Sequence, residues 1–355
     1  MTHPRFKLPE LERFIEEAML ALGFPQKDSH VIAQLMAQAD LQGSDGHGIF
    51  RLAPYTKRIQ AGAINLNPQI KILKEKPAMA VLDGDNGMGH LVMKYATELA
   101  IQKAKNTGIA WVGSQYSNHA GPASLYAKMA LEHDMLGLYF AVGNANHLPA
   151  WGGLDMLLST NPIAAAIPTL REIPIVLDMA TTVAAYGKVK AKAQNGEMMP
   201  EGWMVDQEGK PLLDPNQSDK GFLLPIGGYK GYGLSMIVGI LAGALNGAAM
   251  GRDVIDFNKD ASSVTNTGQA IVVIDPDAFG DIQVFKQQID QFIQDIKASR
   301  KMPGVERIWL PGEQSHLKKL DHLQFGVALS PALVEQLDQL ALTLSISPLK
   351  AASSH

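Results

Sequence analysis

The run Gly43-Ser-Asp-Gly-His-Gly-Ile-Phe-Arg51 sets His47 between two glycines and places Arg51 four residues later, at the start of a helical pattern. Glycines leave an imidazole uncovered, and an arginine one helical turn on can hold a carboxylate through two parallel hydrogen bonds. A histidine beside such a clamp is what reduction of a 2-keto acid needs. The alkoxide made by hydride addition must be protonated while the carboxylate is held still. The plain alternative is a loop histidine next to a surface arginine.

Four further segments carry residue types of interest. Ser117-Asn118-His119-Ala120-Gly121-Pro122 falls between a strand and a helix, where a histidine sits at the sheet rim and helix amides can face a phosphate; capping or packing would equally occupy Asn118 and His119. Ser159-Thr160-Asn161-Pro162 leads into an apolar strand. Ile175-Val-Leu-Asp178-Met-Ala-Thr181 is an apolar strand ending in an aspartate, which can accept from ribose hydroxyls or cap a helix. Gly227-Gly-Tyr-Lys-Gly-Tyr-Gly233 precedes an apolar helix, and its glycines with Lys230 can cradle a pyrophosphate.

Other chemistries lack their residues. The order of glycine, lysine and hydroxyl residue is not that of a P-loop, and Gly87-Met-Gly89 lacks the third glycine of a Rossmann fingerprint. No Gly-x-Ser-x-Gly elbow occurs, and no histidine pair or acidic run has metal-ligand spacing, so no metal is expected.

The elements that must position these groups read as alternating helices and strands. Leu11, Phe14, Ile15, Ala18, Met19 and Leu22 recur at helical spacing between Pro9 and Gly23, and a second helix runs from about Ser29 to Asp40 with Asp28 as its N-cap. Helical patterns follow at Phe50 to Ile59, Leu91 to Lys105, Pro122 to His133, Phe285 to Ser299 and Pro331 to about Leu344. Strands are predicted at Ala78 to Asp83, Ile109 to Gly113, Leu136 to Val142, Ile163 to Ile167, Ile173 to Asp178 and Gln269 to Ile274. Lys190 to Lys220 reads as a long surface excursion bordering a site. The twelve-residue apolar run Leu234 to Leu245 is too short for a bilayer span of roughly 20 residues and reads as a buried helix. The tail Ala351 to His355 reads as frayed.

Bulk properties agree with a globular protein. The chain has 355 residues, 46% hydrophobic and 19% charged, enough for one large core or two linked ones. A net charge of −4 with no run of five or more like charges gives no footprint for nucleic acid or an anionic membrane. The absence of cysteine removes disulfides, thiolate metal sites and thiol nucleophiles, and fits a reducing cytosol. The N-terminal residues lack the sections of a signal peptide, so a cytoplasmic location is expected.

In this order the five segments resemble the malate/L-lactate dehydrogenase family, which also holds ureidoglycolate, sulfolactate and diketogulonate dehydrogenases and some cyclic-imine reductases. The likeness runs from Leu11 to about Leu344. It implies an α/β, mixed-sheet, non-Rossmann NAD(P)-binding fold with a helical lobe from both termini. Residues 1–75, completed by 315–355, would form the lobe for substrate and dimerisation, and residues 76–314 the cofactor-binding domain. It also implies a homodimer or larger assembly, a small carboxylate substrate, and NAD or NADP as cofactor.

By the same resemblance the catalytic histidines fall on His47 and His119, between which family members differ, and the substrate-binding residues fall on Arg51 and Thr160. Cofactor contacts fall on Ala120, Gly121, Pro122, Ala123 and Ser124, on Asp178, Met179 and Ala180, on Tyr229, Lys230 and Gly231, and on Gly312 and Glu313. Many relatives carry a serine immediately before the first histidine where this chain has Gly46, which leaves Ser44 or Asp45 to orient the ring. The implied reaction interconverts a 2-hydroxy acid and its 2-keto acid. The alternatives are reduction of a cyclic imino acid on the same scaffold, or a cofactor-binding homologue without turnover.

Overall fold

The computed structural model describes residues 3–349; the tail read as frayed lies outside the described residues. The first three helices are α1 (Leu8–Ala21), α2 (Gln26–Leu41) and α3 (Leu52–Gln60). The middle of the chain supplies α4 (Gly89–Thr107), α5 (Ser124–Met129), α6 (Tyr186–Asn195) and α7 (Tyr229–Ala242), and the last part α8 (Ile282–Ala298), α9 (Glu313–Phe325) and α10 (Pro331–Leu344). The strands are β1 (Arg5–Phe6), β2 (Lys71–Lys76), β3 (Met79–Asp83), β4 (Ile109–Ser117), β5 (Leu136–Ala141), β6 (Asn146–Pro149) and β7 (Met156–Ser159). They continue with β8 (Ile163–Ile167), β9 (Ile175–Met179), β10 (Met204–Asp206), β11 (Gly221–Leu223), β12 (Thr267–Ile274) and β13 (Val327–Ala328).

Seven strands form the central sheet in the order β2-β3-β4-β12-β5-β8-β9. Only β3 and β4 run parallel, joined by the crossover helix α4; the other neighbours are antiparallel. The sheet is therefore mixed. β12, made late in the chain, slots between β4 and β5, and its nearly continuous apolar run is buried on both faces as a central strand requires. One face, with Ile271 and Val273, packs against α4 and α5. The opposite face lies under α7, where Gly268 meets the Ala242 carbonyl.

A second core joins the two ends of the chain. α1 begins with Pro9 in its first turn, Glu10 closes back onto the Lys7 amide at 2.6 Å, and Gly23, at φ 99°, ends the segment. Its stripe of Leu11, Phe14, Ile15, Ala18 and Met19 is fully buried against Ile32 and Met36 of α2 and Leu337 of α10, at roughly 1.5–3 kcal/mol for each large side chain. β1 pairs with β13, Arg5 opposite Ala328, so the first and last strands clamp the same lobe. Tyr55, Met88 and Phe257 belong to this core and carry it to the edge of the sheet. Among the described residues no helix is long and apolar enough to cross a membrane.

The structure corrects several sequence expectations. α2 starts at Gln26 after Pro25, so Asp28 lies inside the first turn, where its charge favours the positive end of the helix dipole, and does not cap the helix. The helix expected at Pro122 to His133 is α5 followed by a 3-10 turn, Ala130–His133. The excursion Lys190 to Lys220 starts inside α6 and holds β10, so that with β11 it forms a small unit with its own core of Ala184, Val189, Met199, Met204 and Leu223. The apolar helix is not buried all round: Ser235, Val238, Gly239 and Ala242 of α7 face the sheet, while Leu234, Met236, Ile237 and Ile240 are exposed. An apolar run shows that a helix wants cover on every side without showing whether its own chain supplies that cover.

Candidate active site

His47 lies on the loop between α2 and a 3-10 turn, Ile49–Arg51. Asp40, in the last turn of α2, accepts the Ile49 amide at 2.7 Å, and Gly48 rests on the same carboxylate so closely that a Cβ there would be 2.0 Å from Oδ1. Burial holds the Asp40 carboxyl well above its usual range, with the Ile49 amide acting the other way. His322 of α9 binds the Asp40 and Leu41 carbonyls, each at 3.1 Å, which requires the proton on its Nδ1. Arg51 closes the loop by donating Nε–H to the Gly46 carbonyl at 2.7 Å, so its two terminal nitrogens remain for another acceptor. Ser44 and Asp45 do not orient the imidazole: Asp45 points outward to Lys318 at 3.2 Å, and the Ser44 carbonyl accepts the His47 amide at 2.8 Å.

His119 arrives from the end of β4, which runs four residues beyond the predicted strand to Ser117. The Asn118 side chain donates to the carbonyls of Asn86 and Gly87 at 3.1 and 2.9 Å, fixing the turn. Gly89, the first residue of α4, packs so tightly that a Cβ would be 2.1 Å from the Asn118 carbonyl. The His47 and His119 rings lie parallel within 7°, centroids 5.3 Å apart, with His47 Nδ1 and His119 Nε2 separated by 3.3 Å. No local sequence pattern reveals this pair, because its members lie 72 positions apart.

Their protonation follows from the neighbours. The Gly121 amide can only donate, and it points at His119 Nδ1 from 3.3 Å; the Tyr55 hydroxyl lies 2.5 Å from the same nitrogen. The His119 proton therefore sits on Nε2 and is donated to His47 Nδ1, which leaves the His47 proton on Nε2. Phe257 backs the pair, its ring 5.9 Å from His119 and 6.2 Å from Tyr55, with the Arg51 and Arg58 guanidinium groups over it at 5.8 and 5.3 Å. Arg58 in turn donates to the carbonyls of Asp260 and Ser263 at 2.5 and 2.7 Å, tying that loop across the site.

Burial, then the charge of Arg51, then His90, push the His47 imidazole down to about 3; the same influences, burial first, hold His119 well below its usual value. Both rings remain half-buried with protein crowding around them, the setting of a cleft floor. His90, behind them at the start of α4, is fully buried at 0% exposure, edge-on to Tyr55 at 5.9 Å. Neither of its ring nitrogens has a hydrogen-bond partner among the described residues, and burial pushes it down to about 3.

A histidine that is neutral when folded and titrates normally when unfolded contributes stability that is full above pH 6.5 and lost as pH falls from there towards 3. Between pH 7 and pH 5, His90 should lower unfolding free energy by about 2 kcal/mol. His90→Asn should flatten that part of the profile, as read from denaturant midpoints at the two pH values. An unchanged slope would show that His90 titrates alike in the folded and unfolded protein.

The remaining predicted residues fall into separate groups. Ala120, Ala123 and Ser124 are buried beside His119, and the Ser124 amide donates to Asp178 Oδ2 at 2.9 Å, which joins the 120–124 segment to the end of β9. Asp178 is open to solvent although protein surrounds it, so its carboxylate lines a cleft; Gly121 (φ 79°), Pro122, Met179 and Ala180 border it. Gly312 packs on Val176 of β9, where the Val176 amide donates to the Pro311 carbonyl at 3.0 Å. The Glu313 carboxylate is committed to the Leu310 amide (3.2 Å), Lys297 (3.1 Å) and Arg307 (3.4 Å).

Tyr229 and Lys230 are exposed at the start of α7, with Tyr229 edge-on to Trp151 at 6.5 Å, whereas Gly231 is buried against the Ile226 backbone. The Thr160 carbonyl accepts the Thr181 amide and hydroxyl, both at 2.9 Å, and its own hydroxyl faces Gly143. No hydrogen bond or ring contact links Tyr229, Lys230, Gly231 or Thr160 to the histidine pair among the described residues. An exposed acceptor at Asp178, tied to the 120–124 segment, fits a dinucleotide, whose ribose needs such an acceptor. Sequence reading missed Tyr55, His90, Arg58 and Phe257. The signal for Tyr55 was present, since it continues the four-residue spacing of His47 and Arg51.

The profile of the family described as Malate/L-lactate dehydrogenase matches residues 6–338. Malate dehydrogenase of Pyrococcus horikoshii is 38% identical over 345 residues, covering 95% of this chain and 94% of its own. Its solved structure superposes with a TM-score of 0.89, covering 98% of this chain and 97% of that one. The structure of sulfolactate dehydrogenase from Methanocaldococcus jannaschii also superposes at 0.89, with 35% identity and coverage of 97% and 98%. A Delta(1)-pyrroline-2-carboxylate/Delta(1)-piperideine-2-carboxylate reductase of Pseudomonas syringae is 31% identical over 336 residues, covering 94% of this chain and 95% of its own.

Proposed function

Since the chain belongs to the malate/L-lactate dehydrogenase family, whose scaffold carries NAD(P)-dependent oxidoreductases of 2-hydroxy acids and imino acids, we propose that it interconverts a small 2-hydroxy acid and its 2-keto acid. The observation that carries this reading is the joining of Arg51, with both terminal guanidinium nitrogens unspent, to two neutral histidines 3.3 Å apart.

The bound nicotinamide, NAD or NADP, supplies or takes the hydride. Arg51 holds the substrate carboxylate through its terminal nitrogens. In the reducing direction His47 Nε2–H protonates the nascent alkoxide, and His47 Nδ1 takes the proton of His119 Nε2. Tyr55 then gives its hydroxyl proton to His119 Nδ1. Burial disfavours the phenolate and the charge of Arg51 favours it, so the Tyr55 oxygen is reprotonated when product leaves and water enters the cleft. In oxidation the same protons move the other way, each by one hydrogen bond. Phe257 stacks on His119 and covers that side of the pair, and Arg58 ties the 260–263 loop beside it.

The experiment is a screen of the purified protein with NADH or NADPH against pyruvate, oxaloacetate and a cyclic imino acid, followed by nicotinamide absorbance. Turnover of a keto acid is expected. Turnover of the imine alone would replace the reading with C=N reduction, and cofactor binding without any turnover would replace it with a binding protein.

The active form is proposed to be a homodimer in which a second copy covers the exposed face of α7. Supporting this, Leu234, Met236, Ile237 and Ile240, with Leu245 just beyond, form one apolar surface whose members are 36–58% exposed. A patch of this kind on a soluble chain marks an interface. Ile237→Glu would bury a carboxylate there and should halve the mass seen by light scattering. An unaltered mass would place any interface elsewhere.

A further inference from the structure

A second cation borders the site. α6 presents Tyr186 and Lys190 one turn apart: the Tyr186 ring stacks on His147 of β6, centroids 4.0 Å apart and 14° between planes, and Lys190 Nζ stands 5.6 Å from the centre of the Tyr186 ring. The same ammonium donates to Asn258 Oδ1 at 3.1 Å. Asn258 follows Phe257 directly, and Phe257 is the ring over which Arg51 lies at 5.8 Å. Lys190 is thus anchored to the platform that carries the proposed carboxylate clamp.

The charges around this platform do not balance. Lys190 is half-buried and forms no ion pair among the described residues. The nearest carboxylate that acts on it, Asp256, is shared with Lys259 at 3.8 Å and with the Asn258 amide at 2.9 Å. Arg58 spends its guanidinium on two carbonyls. Burial pushes His147 down to about 4, so it adds no charge, and the positive field of Arg51 is felt at Lys190 itself. Two partly desolvated cations thus lie within each other's field, and Asp256 is the carboxylate that acts on Lys190.

We propose that Lys190 binds a second anionic group at the far end of the substrate, making it the residue that selects a dianionic 2-keto or 2-hydroxy acid, a dicarboxylate or a carboxylate–sulfonate, over a monoanion. The inference rests on the proposed reading of the site as one for 2-hydroxy and 2-keto acids. Asn258 and Tyr186 hold the ammonium in place: the amide oxygen accepts one of its three protons, the ring takes up part of its charge, and the remaining protons serve the ligand.

The test is calorimetric titration of the protein saturated with NADH or NADPH, using malate and lactate, which cannot turn over with reduced cofactor. Wild type is expected to bind malate at least tenfold more tightly than lactate, and one charge-assisted contact supports a preference of roughly 10- to 100-fold. In Lys190→Met the preference should fall to about threefold or less, in Lys190→Arg it should survive, and Lys190→Gln repeats the loss with a second neutral side chain; melting curves check that each variant folds. A malate preference that persists in both neutral variants, or wild type binding the two acids equally, overturns the role of Lys190. Failure of wild type to bind either acid overturns the hydroxy-acid reading itself, so the two failures are distinct.

Discussion

His47→Asn is expected to reduce kcat for keto-acid reduction by roughly 100- to 10,000-fold, the range lost with a positioned proton donor, while reduced cofactor binds as before. Asparagine occupies nearly the same space on the Asp40–Gly48 loop, so the Ile49 and Gly46 contacts that shape it should persist. What disappears is the Nε2–H assigned to the substrate, while the asparagine Oδ1 can still accept from His119 Nε2. Measuring kcat alongside cofactor fluorescence separates lost chemistry from lost structure. Full activity in this variant would remove His47 from the reaction and leave His119 as the proton carrier.

Arg51→Lys should raise KM for the 2-keto acid by roughly 10- to 100-fold with a smaller change in kcat, because lysine keeps the charge and loses the planar fork. The wild-type guanidinium can do two things at once: Nε fixes the Gly46 carbonyl, and the terminal nitrogens, which make no hydrogen bond among the described residues, are left for the carboxylate. An ammonium can reach one of these acceptors at a time. A fall in kcat with KM unchanged would mean that Arg51 acts on the reacting centre and not as an anchor for the carboxylate.

Much of this arrangement could be read from residue order, and the unread parts share a cause. The α1 stripe and the strands β3, β5 and β8 were legible because their burial repeats at a fixed local period, and β12 because its apolar, β-branched run is nearly continuous. The loop around His47 stood out through its glycines, and the structure gives two of them separate reasons: Gly48 must fit against Asp40, whereas Gly46 has open space around it. The outward face of α7 was illegible because periodicity reports apolarity and not the identity of the neighbour. α9 was overlooked because its buried residues, Glu313 and His322, are polar. Phe257, Arg58 and Lys190 meet the site only through contacts spanning large stretches of chain, and no local pattern encodes those. Arg58, which reaches Asp260 and Ser263 from more than 200 residues away, is the clearest case.

The lobe that holds His47 is closed by β13 and α10, which pack on β1 and α1. During synthesis the first helices therefore emerge about 300 residues before their covering partners, a wait of roughly 15–60 s at ribosomal rates of about 5–20 residues per second. Over that interval Leu11, Phe14 and Ile15 have no finished core, so the nascent chain is exposed to chaperones and to premature association. Such long-range closure also predicts slow refolding, with the His47 loop among the last parts to settle.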